Sequence, residues 1–485
     1  MATSATTQPD SSALDDLPQE VLIRIASFLT TAELGPFRRT CQQIETKLFN
    51  TFANEFFTKR QFMLEHESLD ALVGISRHPG LAAKLTEVII GTQTLSAGVG
   101  LVHDRILHGR LTRDVLLQTG AACEMLAEAF SKLPNLRCVG LRDYDGAGRF
   151  RDGLNARWRS WGWSFGFRGA LQDPGQVLPV LLTALGRAQA RPTNIEVILR
   201  RLPHLPFDSF LLPPTASGQS IRAVLAETNT LMLSIGGGAG TAADLAPWAT
   251  YNDHNSFEAP LRQFLHTATN LQSLRLNFVT DQFMGQRSIE WLSRPVSATS
   301  GHTDILHTPS VQLAALNSLE FGMANVPGDV LVRALTKFNL KSISLWKMTL
   351  QCPAPDSLAS DCWADFLKQL SAALPPTSPL RYISIGAASQ YHYTPSQPRS
   401  HNAAVATKFV PEGTAETEKA KASKDETIAF KAQFTNKSAQ QWLRDMADLT
   451  FVPGIHSSPS SSPVSIDSSD SEDLAESEDE DDEDV

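Results

Sequence analysis

From residue 17 the apolar positions recur at the spacing of a helix. Val21, Leu22, Ile25, Phe28 and Leu29 fall on one face, which predicts an amphipathic helix opened by Leu17-Pro18. Pro18 suits a first helical turn, where a missing N–H costs nothing, and Asp15, Asp16 and Glu20 set negative charge near the positive end of the helix dipole. Thr30 followed by Glu33 has the form of a capping box and predicts a second, short helix. Gly35-Pro36 is expected to end it and to open a third, whose apolar row is Phe37, Cys41, Ile44 and Leu48. Two apolar faces on about forty residues exceed what so short a segment can cover alone, so packing on a partner or on the following domain is expected.

Further on the period changes. The pattern L-x-x-[LIV]-x-[LIF] occurs six times, at Leu85/Val88/Ile90, Leu136/Val139/Leu141, Leu271/Leu274/Leu276, Leu316/Leu319/Phe321, Leu340/Ile343/Leu345 and Leu380/Ile383/Ile385. Its last step is two residues, the signature of a strand with alternate side chains buried. Helical-looking stretches precede most matches: 121–130, 260–267, 330–338 and 362–374. Ile195–Leu199 and Leu231–Ile235 are partial candidates between them. A helix, a short loop and a brief strand cannot bury their own apolar face, so such units must stack.

After residue 390 the pattern weakens. Residues 391–437 are polar and carry Pro395, Pro398 and Pro411, which predicts a linker or insertion. Within 438–452, a short helix with Trp442, Met446 and Leu449 on one side is expected to cap the stacked units. Residues 1–13 and 453–485 hold too few apolar side chains to offset the entropy of ordering and are expected to be disordered.

Charge changes the picture once it is located. Of 52 acidic residues, 12 lie between Asp467 and Asp484, which leaves 40 against 42 Lys and Arg elsewhere. The net charge of −10 therefore belongs to the tail, and the rest has no electrostatic case for binding nucleic acid. No run of about 18 apolar residues is present, so no membrane partner is expected. The first ten residues lack the basic and apolar regions of a signal peptide. The five cysteines (Cys41, Cys123, Cys138, Cys352 and Cys362) form no C-x-x-C pair. Neither a disulfide framework nor a zinc site is expected, and a reducing compartment, cytoplasm or nucleus, fits. The histidines are scattered, which predicts no metal; no cofactor is expected either.

The opening segment, Leu14 through Leu48 with its Leu17-Pro18, resembles an F-box, the module that joins a substrate receptor to a Skp-family adaptor and cullin. That resemblance implies adaptor binding through Leu17, Pro18, Leu22, Ile25, Leu29 and Leu34. It departs from the family at Gly35-Pro36, where apolar residues usually continue, and at Ile44, where an aromatic is common. An F-box followed by degenerate leucine-rich repeats also resembles a common fungal architecture. The fold class expected is α plus α/β: a three-helix F-box at 14–60, then an irregular leucine-rich-repeat-like solenoid at 61–390, then the acidic tail. The function implied is that of a non-catalytic substrate-recognition subunit holding a protein target. A scaffold acting outside a ligase is the alternative.

Other motifs are weighed on their chemistry. Gly162-Trp163-Ser164-Phe165-Gly166 matches the nucleophile elbow of serine hydrolases. That elbow requires a buried strand before the serine, and residues 156–161 alternate cations and indoles instead. Gly238, Gly240 and Ala243, with Glu258 further on, imitate a dinucleotide-binding loop without the repeated parallel units around it. Arg157, Trp158, Trp161 and Trp163 form a cluster of the residue types that dominate binding hot spots, either plugging the solenoid's side or reading an acidic or phosphorylated target. Ser469 and Ser477 each precede an acid by three residues, as acidophilic kinases prefer. Val464-Ser465-Ile466-Asp467 resembles a SUMO-interacting strand.

Overall fold

A computed structural model describes residues 14, 16–92, 112–144, 150–152, 174–200, 204–236, 258–278, 282–295, 310–353, 361–393, 404–409, 429–433 and 437–452. The chain is mixed α/β and separates into two compact units, residues up to 171 and residues 172–477. No helix among the described residues is long and apolar enough to cross a membrane.

The first unit opens with α1 (Gln19–Ser27), α2 (Thr31–Arg38) and α3 (Gln42–Phe57). Pro18 stands one place before the helix as its N-cap, and its carbonyl accepts from the Val21 and Leu22 amides. The capping box forms: Glu33 N–H donates to Thr30 Oγ1, and the Thr30 amide donates to Glu33 Oε2 at 2.9 Å. Gly35-Pro36 does not break the chain as expected, because α2 runs through both residues. A proline ring normally clashes with the Cβ of a helical residue before it, and Gly35 has none. The lost N–H removes one bond near the end of a short helix, which stops two residues later.

Three parallel strands follow, β1 (Lys59–Met63), β2 (Glu87–Gly91) and β3 (Cys138–Arg142), with helices His66–Arg77 and Ala121–Ser131 among them. The boundary expected at residue 60 falls inside β1. That strand lacks the leucine triplet because Arg60 takes the place opposite Val88. Its guanidinium lies 4.7 Å over the Phe57 ring and bonds the Phe56 carbonyl, so its stem covers apolar surface that a leucine would otherwise fill.

The second unit repeats one arrangement. Strands β4 (Asn194–Ile198), β5 (Thr230–Ile235), β6 (Ser273–Phe278), β7 (Ser318–Gly322), β9 (Ser342–Trp346) and β11 (Tyr382–Gly386) pair in parallel and in register. Every predicted triplet becomes a strand, and so do both partial candidates. Leu274, Leu319, Ile343 and Ile383 form one buried row, and Leu276, Phe321, Leu345 and Ile385 the next. The intervening side chains form the opposite, largely polar face, which is why the strands alternate instead of reading as continuous apolar runs.

After β7, β9 and β11 the chain turns a corner through Met323, Lys347 and Ala387, whose φ values are 57°, 52° and 48°. Each corner leads into a short strand: β8 (Asn325–Pro327), β10 (Thr349–Pro353) and β12 (Ser389–Tyr393), which form a second parallel ladder. The polar stretch 391–437 is therefore not all linker. It contains the end of β12, β13 (Val405–Ala406) and β14 (Lys408–Phe409), and also β15 (Ala429–Gln433), which pairs antiparallel with β11. Backbone pairing of this kind needs no apolar pattern and leaves none to read.

The capping helix forms over Ala439–Ala447 and buries Leu443, Met446 and Ala447. It is tied to helix Cys362–Ala373 and the residue after it by Ser371 Oγ donating to the Gln440 carbonyl at 2.7 Å and Gln440 Nε2 donating to the Leu374 carbonyl at 2.5 Å. One expectation fails here: Cys352 of β10 and Cys362 are joined by a disulfide with Cα atoms 6.1 Å apart. Spacing alone could not reveal it, since the pair is brought together by β10 lying beside the start of that helix. Cys41, Cys123 and Cys138 form no disulfide among the described residues.

Candidate functional site

The three opening helices build the first candidate. Leu22, Ala26, Leu34, Ile44, Leu48 and Phe56 form a buried cluster inside the module. Leu22 is 0% exposed and Leu34 3%, so two of the six residues expected at an adaptor surface belong to the module's own core. Leu17 and Leu29 are half-buried against the same cluster, Ile25 is half-buried, and Pro18 is exposed.

The apolar residues left outside overlap only in part with the expected ones. Leu14 and Val21 are each 42% exposed and Phe28 is 74% exposed. Val21 lies on α1, Leu14 and Pro18 precede the helix and Phe28 follows it, with half-buried Ile25 one turn after Val21. Val21 and Phe28 stand next to Leu22 and Leu29 in sequence, so spacing alone does not separate the inward from the outward residues. A helix can bury only about a third of its circumference against two neighbours, and α1 ends at Ser27, so Phe28 turns outward. The Arg24 guanidinium lies 5.0 Å over the Phe28 ring and leaves most of it uncovered.

That corner is held from far along the chain. A 3₁₀ turn, Phe150–Asp152, reaches the α1–α2 junction. Arg151 Nη1 donates to the carbonyls of Ala26 (2.9 Å) and Leu29 (2.6 Å), which bracket Phe28. Its Nε and Nη2 form a two-point pair with Glu55 of α3, both at 2.5 Å. Asp152 accepts from the Thr31 amide at 2.7 Å and from the Thr31 hydroxyl, at the N-terminus of α2. A cation at one helix end and an anion at the next complement both dipoles. No sequence pattern announces a contact of such separation.

The second candidate is the polar face of the sheet in the second unit. Register places Glu196, Met232, Arg275, Glu320, Ser344 and Ser384 in one row across it. Serines and glycines dominate toward β11. Arg275 and Glu320 stand 3.7 Å apart. Burial raises the Glu320 pKa, and Arg275 opposes that.

Other predicted residues separate clearly. Glu258, the acid of the imitated dinucleotide loop, is committed elsewhere: Arg262 Nη2 donates to it at 3.0 Å and Ser288 Oγ at 3.2 Å, in a buried cluster. Burial raises its pKa against these contacts. Arg157, Trp158, Trp161, Trp163, Ser164, Ser469, Ser477 and the 464–467 segment lie outside the described residues. Among the described residues, no three His, Cys, Asp or Glu side chains gather as metal ligands would.

The geometry defines a mixed α/β chain with a small helical module and parallel strands repeated in register. No family model matches the sequence, and no curated protein is similar to it. Among solved structures, a chain from the crystal structure of the yeast Rad7 and Elc1 complex aligns over 76% of this chain and 87% of its own length. The identity is 12% and the TM-score 0.23, too low to transfer a fold or a role.

Proposed function

We propose that this chain is the substrate-recognition subunit of a cullin ubiquitin ligase. The three-helix module, as an F-box, grips a Skp-family adaptor, and the repeated strand–helix units, as irregular leucine-rich repeats, hold a protein target. The chain performs no chemistry of its own. It raises the local concentration of target lysines beside a ubiquitin-loaded enzyme.

The observation that carries this reading is the exposed apolar set Leu14, Pro18, Val21 and Phe28 beside half-buried Ile25, with Phe28 74% exposed at a corner braced by Arg151. Water-exposed apolar side chains gathered on and beside a helix are a recurrent mark of protein docking. Leu22 and Leu34 contribute by holding the module together; Val21 and Phe28 make the contact. Titration calorimetry of the purified chain with a recombinant Skp-family adaptor tests it. Replacing both Val21 and Phe28 by alanine should weaken binding by about 100-fold, since two central contacts commonly carry about 1–2 kcal/mol each. Unchanged affinity in a folded double variant refutes the assignment. Cullin co-purifying with the wild-type chain separates a ligase subunit from a scaffold outside one.

A further inference from the structure

Two side chains rise from an otherwise low part of the second unit's polar sheet face. Around them lie Ser342, Ser344, Ser384 and Gly386; the two are Glu320 of β7 and Trp346 of β9. Glu320 pairs with Ser344, and Trp346 follows two residues later on the same face. A strand spacing of about 4.8 Å and a two-residue rise of about 6.6 Å set their Cα atoms about 8 Å apart.

The indole is seated and uncommitted. A Cβ on Gly386 would lie 1.9 Å from the Trp346 ring, so only glycine lets the ring lie against β11. Trp291, by contrast, is buried, and Trp363 Nε1 donates to the Ser389 carbonyl at 2.8 Å. Trp346 is half-buried, and among the described residues its Nε1 and ring have no hydrogen-bond, cation or ring partner.

Glu320 is ion-paired with Arg275 on the neighbouring strand but is not hydrogen-bonded to it. Its side chain is 26% exposed and, at 3.7 Å, Arg275 is beyond hydrogen-bond reach. Among the described residues its carboxylate accepts no hydrogen bond. Among the described residues, other half-buried or buried acids with an arginine partner are bonded directly: Glu45 at 2.5 Å, Glu128 at 2.7 Å and Glu258 at 3.0 Å.

We infer that Glu320 and Trp346 form a cradle for an arginine side chain, presented by a protein segment lying across the short residues of β9 and β11. A guanidinium is planar and can stack on an indole while its fork donates to a carboxylate; an ammonium cannot do both. Serine and glycine around the cradle let a partner backbone approach closely and offer hydroxyls to its amides. The inference rests on reading this unit as the target-holding part. It gives the target a chemistry opposite to that expected of the Arg/Trp cluster at 157–163.

The test is to pan a random heptapeptide library on the full-length chain and measure the enriched peptide by fluorescence anisotropy. Arginine at one fixed peptide position is the expected result. Changing that arginine to lysine should weaken binding about fivefold or more, and Glu320→Gln or Trp346→Phe about tenfold, as loss of one stacked or forked contact implies. Thermal unfolding of each variant checks the fold, and the peptide substitution needs no change in the protein. Enrichment of acidic or arginine-free peptides, no enrichment, or full affinity in both variants overturns the cradle. No adaptor is present in this assay, so failure of the adaptor contact leaves its outcome unchanged.

Discussion

Arg151→Met tests whether the α1–α2 corner is held from a distance. The arginine side chain is only 10% exposed and holds Glu55, itself 29% exposed, through two bonds. The same guanidinium serves the Ala26 and Leu29 carbonyls. Methionine keeps much of the stem's packing and removes every polar contact. Breaking one partner of a buried pair costs about 3–5 kcal/mol, and Glu55 can recover part of that from water, so a loss of about 3 kcal/mol is expected. Because the chain has two units, a global unfolding midpoint would mix both. Hydrogen exchange by mass spectrometry resolves them. Peptides covering Gln19–Arg38 should lose about 100-fold or more in protection, while those covering β5 to β7 stay unchanged. Adding Glu55→Gln to Arg151→Met should cost clearly less than the sum of the two single changes. Protection within threefold of wild type over Gln19–Arg38 would mean the corner holds itself, and the strap would be incidental.

Three other outcomes follow from the same reasoning. Burial pushes the Glu65 carboxyl up to about 7, with Arg113 opposing and Glu67 adding to the shift. Because the folded pKa is raised, stability is highest below the unfolded value and falls as pH climbs through about 7. Glu65→Gln should remove that fall and gain about 1–2 kcal/mol at pH 8, after discounting for solvent, read from urea titrations at pH 5 and pH 8. Arg262→Met strands the buried Glu258 carboxylate and should cost about 3–5 kcal/mol, with part of the loss recovered at low pH where Glu258 is protonated; equal loss at both pH values argues against it. Lys347→Gly relieves a left-handed corner and should raise thermal stability by about 1 kcal/mol, whereas Lys347→Val should lower it.

Much of the fold was legible because its period is local. Leu274 and Leu276, or Ile343 and Ile383, announce strands with one buried face, and Thr30 with Glu33 announces a helix start. What escaped reading depends on the third dimension. Arg60 conceals β1 by filling an apolar place with an aliphatic stem. Short strands such as Asn325–Pro327 are fixed by backbone pairing and by the corner before them, not by side-chain alternation. At the candidate docking face the expected residues divide: Leu22 and Leu34 are buried inside the module, Pro18 is exposed, and Leu17, Ile25 and Leu29 are half-buried. Leu22 and Val21 are equally apolar, and only the packing of α3 decides which one points inward. The Arg151 strap and the Trp346 seat over Gly386 join residues whose proximity no spacing encodes.

Strands β4 to β11 of the main ladder follow one another in space as they do along the chain, although the spacing between their leucines varies from 24 to 45 residues. Growth of a connector is therefore invisible to the hydrogen bonds on either side of it. Lineages of this chain can gain or shed loop length, and even whole units, without renegotiating the pairing of what remains, so diversification should concentrate between the strands while the ladder itself stays the same length per rung.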